Sequence, residues 1–283
     1  MSIFKKTSKK IAVKKTIKKD ISPKNKKSVS KVSVKRKLIV ANWKMNPVDL
    51  KEAIKIFAVL KRVDLKKVKD TIVICPPDTY LADFSLKYKG GKFKFGAQDV
   101  SVSNNPESTG EISAEMLRNL KAEYVIVGHS ERRALGETNH VVAKKIRNAI
   151  DKGLKVILCV GEEHRDVNGD YLRFVEKQLF ESLEGFNKKN IANLYVAYEP
   201  VWAIGKGRGS VESNDLHQMN LFIKKVLVAI FDRKIGLSVP IIYGGSVDEE
   251  NAKQLMEAGE VDGLLVGRAS LNPYVFINIL KSL

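Results

Sequence analysis

Residues 37–46 read KLIVANWKMN, a short apolar run followed by an asparagine, a tryptophan and a lysine. The run is rich in branched aliphatic residues and apolar at successive positions, as expected of a strand buried on both faces of a parallel sheet. No G-x-G-x-x-G follows it, although a dinucleotide-binding, doubly wound sheet would carry that phosphate loop here. This first strand therefore favours another parallel α/β architecture.

Similar apolar runs occur eight times, at residues 37–41, 71–75, 93–97, 124–127, 155–160, 194–198, 240–244 and 263–267. Segments in which apolar residues recur at helical spacing lie between these runs. They contain Leu50, Ile54, Phe57 and Leu60, then Leu172, Val175, Leu179 and Leu183, then residues 220–231 and 249–258, and a last one begins at Pro273. Eight β/α repeats in residues 37–283 match the usual size of a closed (β/α)8 barrel. The sequence thus predicts an α/β protein whose catalytic domain is this barrel.

The positive charge of the chain is concentrated before the first strand. Residues 1–36 carry 14 Lys or Arg and one acid, which gives +13 of the total net charge of +18. Self-repulsion and scarce apolar groups predict a solvated, disordered extension, with an organelle-targeting peptide or a polyanion-binding arm as alternatives. Because residues 37–283 are nearly balanced in charge, nucleic acid is not the expected partner.

Two further compositional features concern the compartment and the class of protein. No apolar run reaches the roughly 18 to 20 residues of a membrane span, so no membrane association is expected. Cys75 and Cys159 each lie inside an apolar run, which predicts reduced core residues rather than a disulfide. Both observations favour a cytoplasmic protein.

Polar residues follow five of the predicted strands at the point where each strand ends. These are NWK at 42–44, GHSERR at 128–133, Glu199, GGS at 244–246 and GRAS at 267–270. In a (β/α)8 barrel the carboxyl ends of the strands form one mouth, where the active site lies. The sequence therefore predicts that Lys44, His129 and Glu199 meet there with two glycine-bearing turns.

This set of groups suits one kind of chemistry. Glycine turns after strands seven and eight bind phosphate through backbone N–H groups in such barrels. A carboxylate base, a second acid–base group and a fixed cation suit proton abstraction next to a carbonyl. A metal site is not predicted, because His140, His164 and His217 are assigned to helices or loops and no Cys/His cluster forms.

The segment after Glu199 predicts a lid over the site. Pro200 fixes the backbone, and VWAIGKGRGS at 201–210 contains three glycines, so that Gly205 can offer its N–H to a phosphate. Proton abstraction next to the carbonyl of a phosphorylated substrate gives an enediolate phosphate, which would eliminate its phosphate if it were exposed. Closure of the lid would prevent this side reaction.

The motifs ANWKMN, TGEIS, VGHSERR, AYEPVWAIGKG, YGGSV and LVGRASL, in this order and spacing, resemble the triosephosphate isomerase family over residues 37–283. That family is itself a standard example of a glutamate base paired with a neutral histidine electrophile. The resemblance implies interconversion of dihydroxyacetone phosphate and D-glyceraldehyde 3-phosphate without a cofactor. It also implies a homodimer.

The resemblance also implies roles for individual residues. Glu199 would be the base and His129 the neutral electrophile, with Asn42 and Lys44 binding substrate. Glu131 would support the site from behind, and Thr109, in the long loop 99–110, would lie near the active site of the neighbouring subunit. The phosphate would accept the N–H groups of Gly205, Ser246, Gly267 and Arg268.

Three positions depart from the family pattern: Arg268 replaces a usual glycine, KGRGS at 206–210 replaces the usual lid exit, and Leu135 replaces a common phenylalanine. None removes a catalytic group. Two other classes stay open, namely another phosphate-binding barrel enzyme, such as an epimerase or an indole-glycerol-phosphate synthase, and a nucleic-acid-binding protein that would depend on the basic extension alone.

Overall fold

The computed structural model describes residues 36–204 and 211–283. Within these residues eight parallel strands close into a barrel in chain order. The strands are β1 (Leu38–Asn42), β2 (Thr71–Cys75), β3 (Phe93–Ala97), β4 (Tyr124–Val127), β5 (Lys155–Val160), β6 (Leu194–Tyr198), β7 (Ile241–Tyr243) and β8 (Gly263–Val266). The predicted closed (β/α)8 barrel is confirmed. Residues 1–35 of the predicted extension (1–36) and residues 205–210 of the predicted lid (201–210) lie outside the described ones.

Ten α-helices accompany these strands in the described ranges. They are α1 (Leu50–Arg62), α2 (Asp78–Ser85), α3 (Ala114–Asn119), α4 (Ser130–Ala134), α5 (Asn139–Asp151), α6 (Asp170–Ser182), α7 (Ser213–Ile230), α8 (Arg233–Ser238), α9 (Ala252–Ala258) and α10 (Pro273–Ser282).

Polar caps account for several helix starts. The Asp49 carboxylate accepts the N–H of Lys51 at 2.8 Å before α1, and Asn272 accepts the N–H of Tyr274 at 3.0 Å before α10. Such caps satisfy N–H groups that have no partner within the first turn. Pro273 occupies the first turn of α10, as predicted.

One predicted core position is wrong. Ile54 was expected on the buried face of α1, but 47% of its surface is exposed, and Ile56 is buried in its place. The neighbouring Ala53 and Phe57 complete the inward face, so the true stripe is rotated by part of a turn from the predicted one. A residue in an amphipathic helix can fit the three- and four-residue spacing from the edge of the stripe, because the stripe is wide.

The strands divide the core into two layers by alternation. In β1, Leu38 and Val40 belong to a cluster made mainly from strands, whereas Ile39 and Ala41 pack in the larger cluster with the helices. Alternate side chains of a strand point to opposite faces, so the first set fills the barrel interior and the second the layer under the helices. Both sets are buried, which explains why the strand sequences are apolar at successive positions.

Two smaller observations concern the cysteines and the helices. Cys75 and Cys159 are buried free thiols, as expected. No helix in the described ranges is long and apolar enough to cross a membrane.

Candidate active site

The alternation that fills the barrel also places polar groups at its carboxyl-terminal mouth. Stepping two residues beyond the inward-facing Val40, Ala197, Ile242 and Leu265 leads to Asn42, Glu199, Gly244 and Gly267. Each of these positions continues the interior register of its strand. The strands therefore direct an amide and a carboxylate into the mouth, and leave two glycines where the backbone itself must be approached.

His129 reaches the same mouth because the chain turns after β4. Gly128 has φ +69°, a left-handed conformation that favours glycine, and a Cβ there would lie 2.9 Å from a guanidinium nitrogen of Arg133. His129 then caps α4, and its Nδ1 accepts the N–H of Glu131 at 3.1 Å. An accepting Nδ1 carries no proton, so the ring proton of a neutral His129 lies on Nε2.

Glu199 is 2% exposed and is held by two partners on the β4 side. Its Oε2 accepts the backbone N–H of Ser130 at 3.1 Å, and its Oε1 lies 3.2 Å from His129 Nε2. Gly244 makes room for the side chain, since a Cβ at Gly244 would come within 2.8 Å of Glu199 Cγ. The carboxylate is therefore desolvated yet bonded, and its neighbour His129 presents the N–H edge to it.

A thiol lies behind this carboxylate. Burial, and to a smaller extent the charge of Glu199, raises the pKa of Cys159 well above its usual value. Cys159 therefore stays protonated beside Glu199. The thiol acts as part of the carboxylate's surroundings and not as a nucleophile.

Lys44 follows β1 in a left-handed conformation with φ +53°, which is uncommon for a residue with a side chain. The backbone there is held at both ends. Its N–H donates to Asn42 Oδ1 at 3.1 Å, and its carbonyl accepts the side-chain amide of Gln98 at 2.9 Å. Lys44 Nζ in turn lies 2.6 Å from Glu131 Oε1. The cation is thus fixed in place beside the mouth by a carboxylate that is 59% exposed.

The turns after β7 and β8 present backbone donors. Within the described residues, the N–H groups of Ser246, Gly267 and Arg268 donate to no protein acceptor. The hydroxyl of Ser246 is already used, because it donates to the carbonyl of Ala203 at 2.7 Å. Three N–H groups without protein acceptors near a lysine form an arrangement that suits an anion.

One cavity of about 490 Å³ connects most of the predicted residues. A second cavity of about 710 Å³ shares part of this lining and also touches Glu131. The predicted residues that line the first cavity are Asn42, Lys44, His129, Glu199, Ser246, Gly267 and Arg268.

Among the predicted residues that the structure describes, Glu131 lines only the second cavity and Thr109 lines neither. Thr109 is exposed on the loop 99–110, which contains neither helix nor strand. Gly205 lies outside the described residues. The side chain of Arg268 is exposed at the rim, and no ion-pair partner for it is found among the described residues.

Sequence reasoning missed several groups that hold the site. Ser130 contributes a backbone N–H, and although it lies within the quoted GHSERR segment, its residue type does not signal this role. Gln98 and Cys159 contact Lys44 and Glu199 only through the tertiary fold. Glu162 and Arg165, in the connection after β5, also contact the residues around Glu199.

In the described part of the chain, no group of three or more His, Cys, Asp or Glu side chains is placed to hold a metal ion. His140 and His217 lie in α5 and α7, and His164 lies in the connection after β5, in agreement with their predicted placement in helices or loops.

Comparison with known proteins gives a consistent result. A family model described as triosephosphate isomerase matches residues 37–283. A triosephosphate isomerase of Dictyoglomus thermophilum is 42% identical over 254 residues, which covers 88% of this chain and 100% of the relative. The triosephosphate isomerase of Aquifex aeolicus is 40% identical, covering 87% of this chain and 99% of the relative. That of Alkaliphilus oremlandii is 38% identical, with 88% and 100% covered.

Proposed function

The chain belongs to the triosephosphate isomerase family of aldose–ketose isomerases, and we propose that it interconverts dihydroxyacetone phosphate and D-glyceraldehyde 3-phosphate through an enediolate. The observation that carries the mechanism is the contact between Glu199 and the N–H edge of His129, in a cavity that also contains Lys44. A base and a neutral donor at one point suit proton transfer beside a carbonyl.

The substrate phosphate would bind at the turns after β7 and β8. The N–H groups of Ser246, Gly267 and Arg268 lack protein acceptors among the described residues, and the three residues line the cavity that contains Lys44. We assign a fourth phosphate donor, the N–H of Gly205, from the sequence pattern, since that residue lies outside the described ones. Binding of the phosphate at this rim would direct the carbonyl end of the triose inward, toward Asn42 and His129.

The proposed isomerisation moves a proton between two adjacent carbons of the substrate. Glu199 removes a proton from the carbon next to the carbonyl, and His129 Nε2–H donates to the carbonyl oxygen as negative charge develops there. Lys44 stabilises the same charge. Glu199 then returns the proton to the adjacent carbon, while the hydroxyl on that carbon loses its proton and the former carbonyl oxygen gains one. This gives the isomer, and no electrons leave the substrate.

The contacts of Glu199 and Lys44 add a requirement for this reaction. His129 Nε2 lies 3.2 Å from Glu199 Oε1, and the Ser130 N–H donates to Glu199 Oε2. Both carboxylate oxygens of Glu199 therefore already have protein partners. A substrate oxygen has to take the place of Glu199 at His129, and the carboxylate has to leave the Ser130 N–H to reach carbon. Lys44 must likewise exchange part of its contact with Glu131 for substrate.

We also propose a cytoplasmic homodimer in which Thr109 approaches the partner's site. Support comes from exposed apolar side chains close in sequence to the site residues, since 88% of Met45, 91% of Val48 and 77% of Leu135 is exposed in the single chain. The two free thiols fit a reducing compartment. We assign residues 1–36 as an extension that the catalytic domain, 37–283, does not need. Sedimentation of the full chain tests the dimer.

A coupled assay tests the proposed activity. Purified protein is given D-glyceraldehyde 3-phosphate, and the dihydroxyacetone phosphate formed is reduced by an NADH-dependent dehydrogenase. We expect rapid NADH oxidation that depends on the protein and persists in a metal chelator. Conversion no faster than in buffer would contradict the proposal, and conversion of a pentose phosphate instead would favour another phosphate-binding barrel enzyme.

A further inference from the structure

Arg165 lies in the connection between β5 and α6 and joins this connection to two other parts of the fold, β6 and α7. Its Nε donates to Glu162 Oε1 at 3.0 Å, and one terminal nitrogen donates to the Tyr198 hydroxyl at 3.1 Å. The other terminal nitrogen lies 2.9 Å from Asp215 Oδ2, in the first turn of α7. One guanidinium thus uses all three of its nitrogens on three separate partners.

Two aromatic rings enclose the same guanidinium. Its central carbon lies 5.2 Å from the ring centroid of Tyr171 and 5.2 Å from that of Trp202. Stacking of this kind needs the flat guanidinium and is not reproduced by an ammonium group. The side chain is 21% exposed, so solvent screens these contacts only in part.

Glu162 makes this cluster a link to the residues beside Glu199. Its Oε1 accepts the Tyr198 hydroxyl at 2.8 Å and the Trp202 indole N–H at 2.9 Å, and it is 1% exposed. Tyr198 directly precedes Glu199, and Trp202 follows it by three residues. Arg165 is the cation beside this buried carboxylate, and a buried carboxylate that loses its counter-charge is destabilised.

We propose that Arg165 is a positioning residue for the isomerisation. It holds Tyr198 and Trp202, on either side of Glu199 in the sequence, against Glu162, and it ties them to α7 through Asp215. Arg165 does not line the cavity and contacts no substrate-binding group, so it acts through the backbone that carries Glu199. The proposal rests on the proposed function for its kinetic consequence.

This role predicts a change in turnover rather than in binding. The three phosphate donors among the described residues lie on the turns after β7 and β8, which Arg165 does not contact, whereas Glu199 has to be positioned to a fraction of an ångström. A displacement of that size costs about tenfold to a hundredfold in rate. Arg165→Met, which keeps the apolar stem, is expected to lower kcat about tenfold and to leave KM within about threefold.

Three variants separate this role from a general loss of stability. Arg165→Lys keeps one charge but not the fork or the stacking, so its kcat should lie between those of the wild type and Arg165→Met. Asp215→Asn removes only the tie to α7 and should lower kcat about threefold. Arg173→Met is the matched control, because Arg173 forms an exposed ion pair with Asp170 on α6, and its kcat should not change.

Fluorescence reports on the cluster independently of activity. The chain has two tryptophans, and Trp43 is fully buried elsewhere, so a difference between Arg165→Met and the control reports on Trp202. We expect a shifted emission maximum in Arg165→Met and none in Arg173→Met.

The experiment measures kcat, KM and emission for all four variants. A fall in kcat at constant KM together with the emission shift supports the proposal. Unchanged kcat in folded Arg165→Met, or a change confined to KM, overturns it. If Arg165→Met does not fold, unchanged kcat in Asp215→Asn overturns it. If the wild type has no isomerase activity, the proposed function fails, while the emission of Trp202 still decides whether Arg165 holds that ring.

Discussion

Glu199→Asp perturbs the proposed base with the least change to its surroundings. Losing one methylene retracts the carboxylate by about 1 Å, so contacts that now measure 3.1 Å to the Ser130 N–H and 3.2 Å to His129 Nε2 would lengthen to about 4 Å. The same retraction moves the base away from the substrate carbon. A misplacement of 1 Å costs on the order of a hundredfold in rate, so kcat should fall by about that factor.

Substrate binding should change little in this variant. The N–H groups of Ser246, Gly267 and Arg268 and the ammonium of Lys44 are untouched, so KM is expected within about threefold of the wild-type value. The coupled assay measures both constants, and far-UV circular dichroism checks the fold. Glu163→Asp is the control, since it makes the same change at an exposed glutamate. A Glu199→Asp enzyme with wild-type kcat would refute the assignment of Glu199 as the base.

Three further predictions concern the rest of the molecule. Arg268→Gly should change KM by less than tenfold in the coupled assay, because the backbone donor remains; a collapse of activity would instead show a direct guanidinium contact. A chain that begins at Arg36 should sediment as a dimer and keep near-normal turnover, and any advantage of the full chain at low salt should vanish at physiological ionic strength; an insoluble, monomeric or inactive product would contradict this. Burial and the nearby Asp99 raise the pKa of Asp78 from 3.8 to about 6, so the fold loses stability as pH rises through that range. Asp78→Asn should therefore raise Tm by about 3 °C at pH 8 and by less at pH 5. An equal effect on Tm at both pH values would rule this out.

The architecture could be predicted from the sequence because the barrel repeats one simple pattern. Residues 155–160, KVILCV, are apolar at every position after the first because one set of side chains fills the barrel and the other lies under the helices. Eight such runs leave few alternatives. Helix faces were harder to predict, as Ile54 shows, because a wide apolar stripe admits several residues with helical spacing and only packing decides which is buried.

The cavity residues were predictable because they follow strands. Lys44, His129 and Glu199 each come within a few residues of a strand end, so strand order alone brings them together. The residues that hold them were not predictable in this way. The Ser130 N–H is a backbone group, and the contacts of Arg165 span from Glu162 to Asp215, a separation that no local pattern encodes.

The proposed proton transfer is tested most directly by isomerisation in D2O. Dihydroxyacetone phosphate is converted by the wild-type protein and by Glu199→Gln, and NMR follows deuterium at the carbon that receives the proton. A carboxylate that accepts a proton can exchange it with solvent before returning it, so the account predicts deuterium in the product of the wild type and almost no conversion by Glu199→Gln. Equal conversion by both proteins would contradict proton abstraction by Glu199.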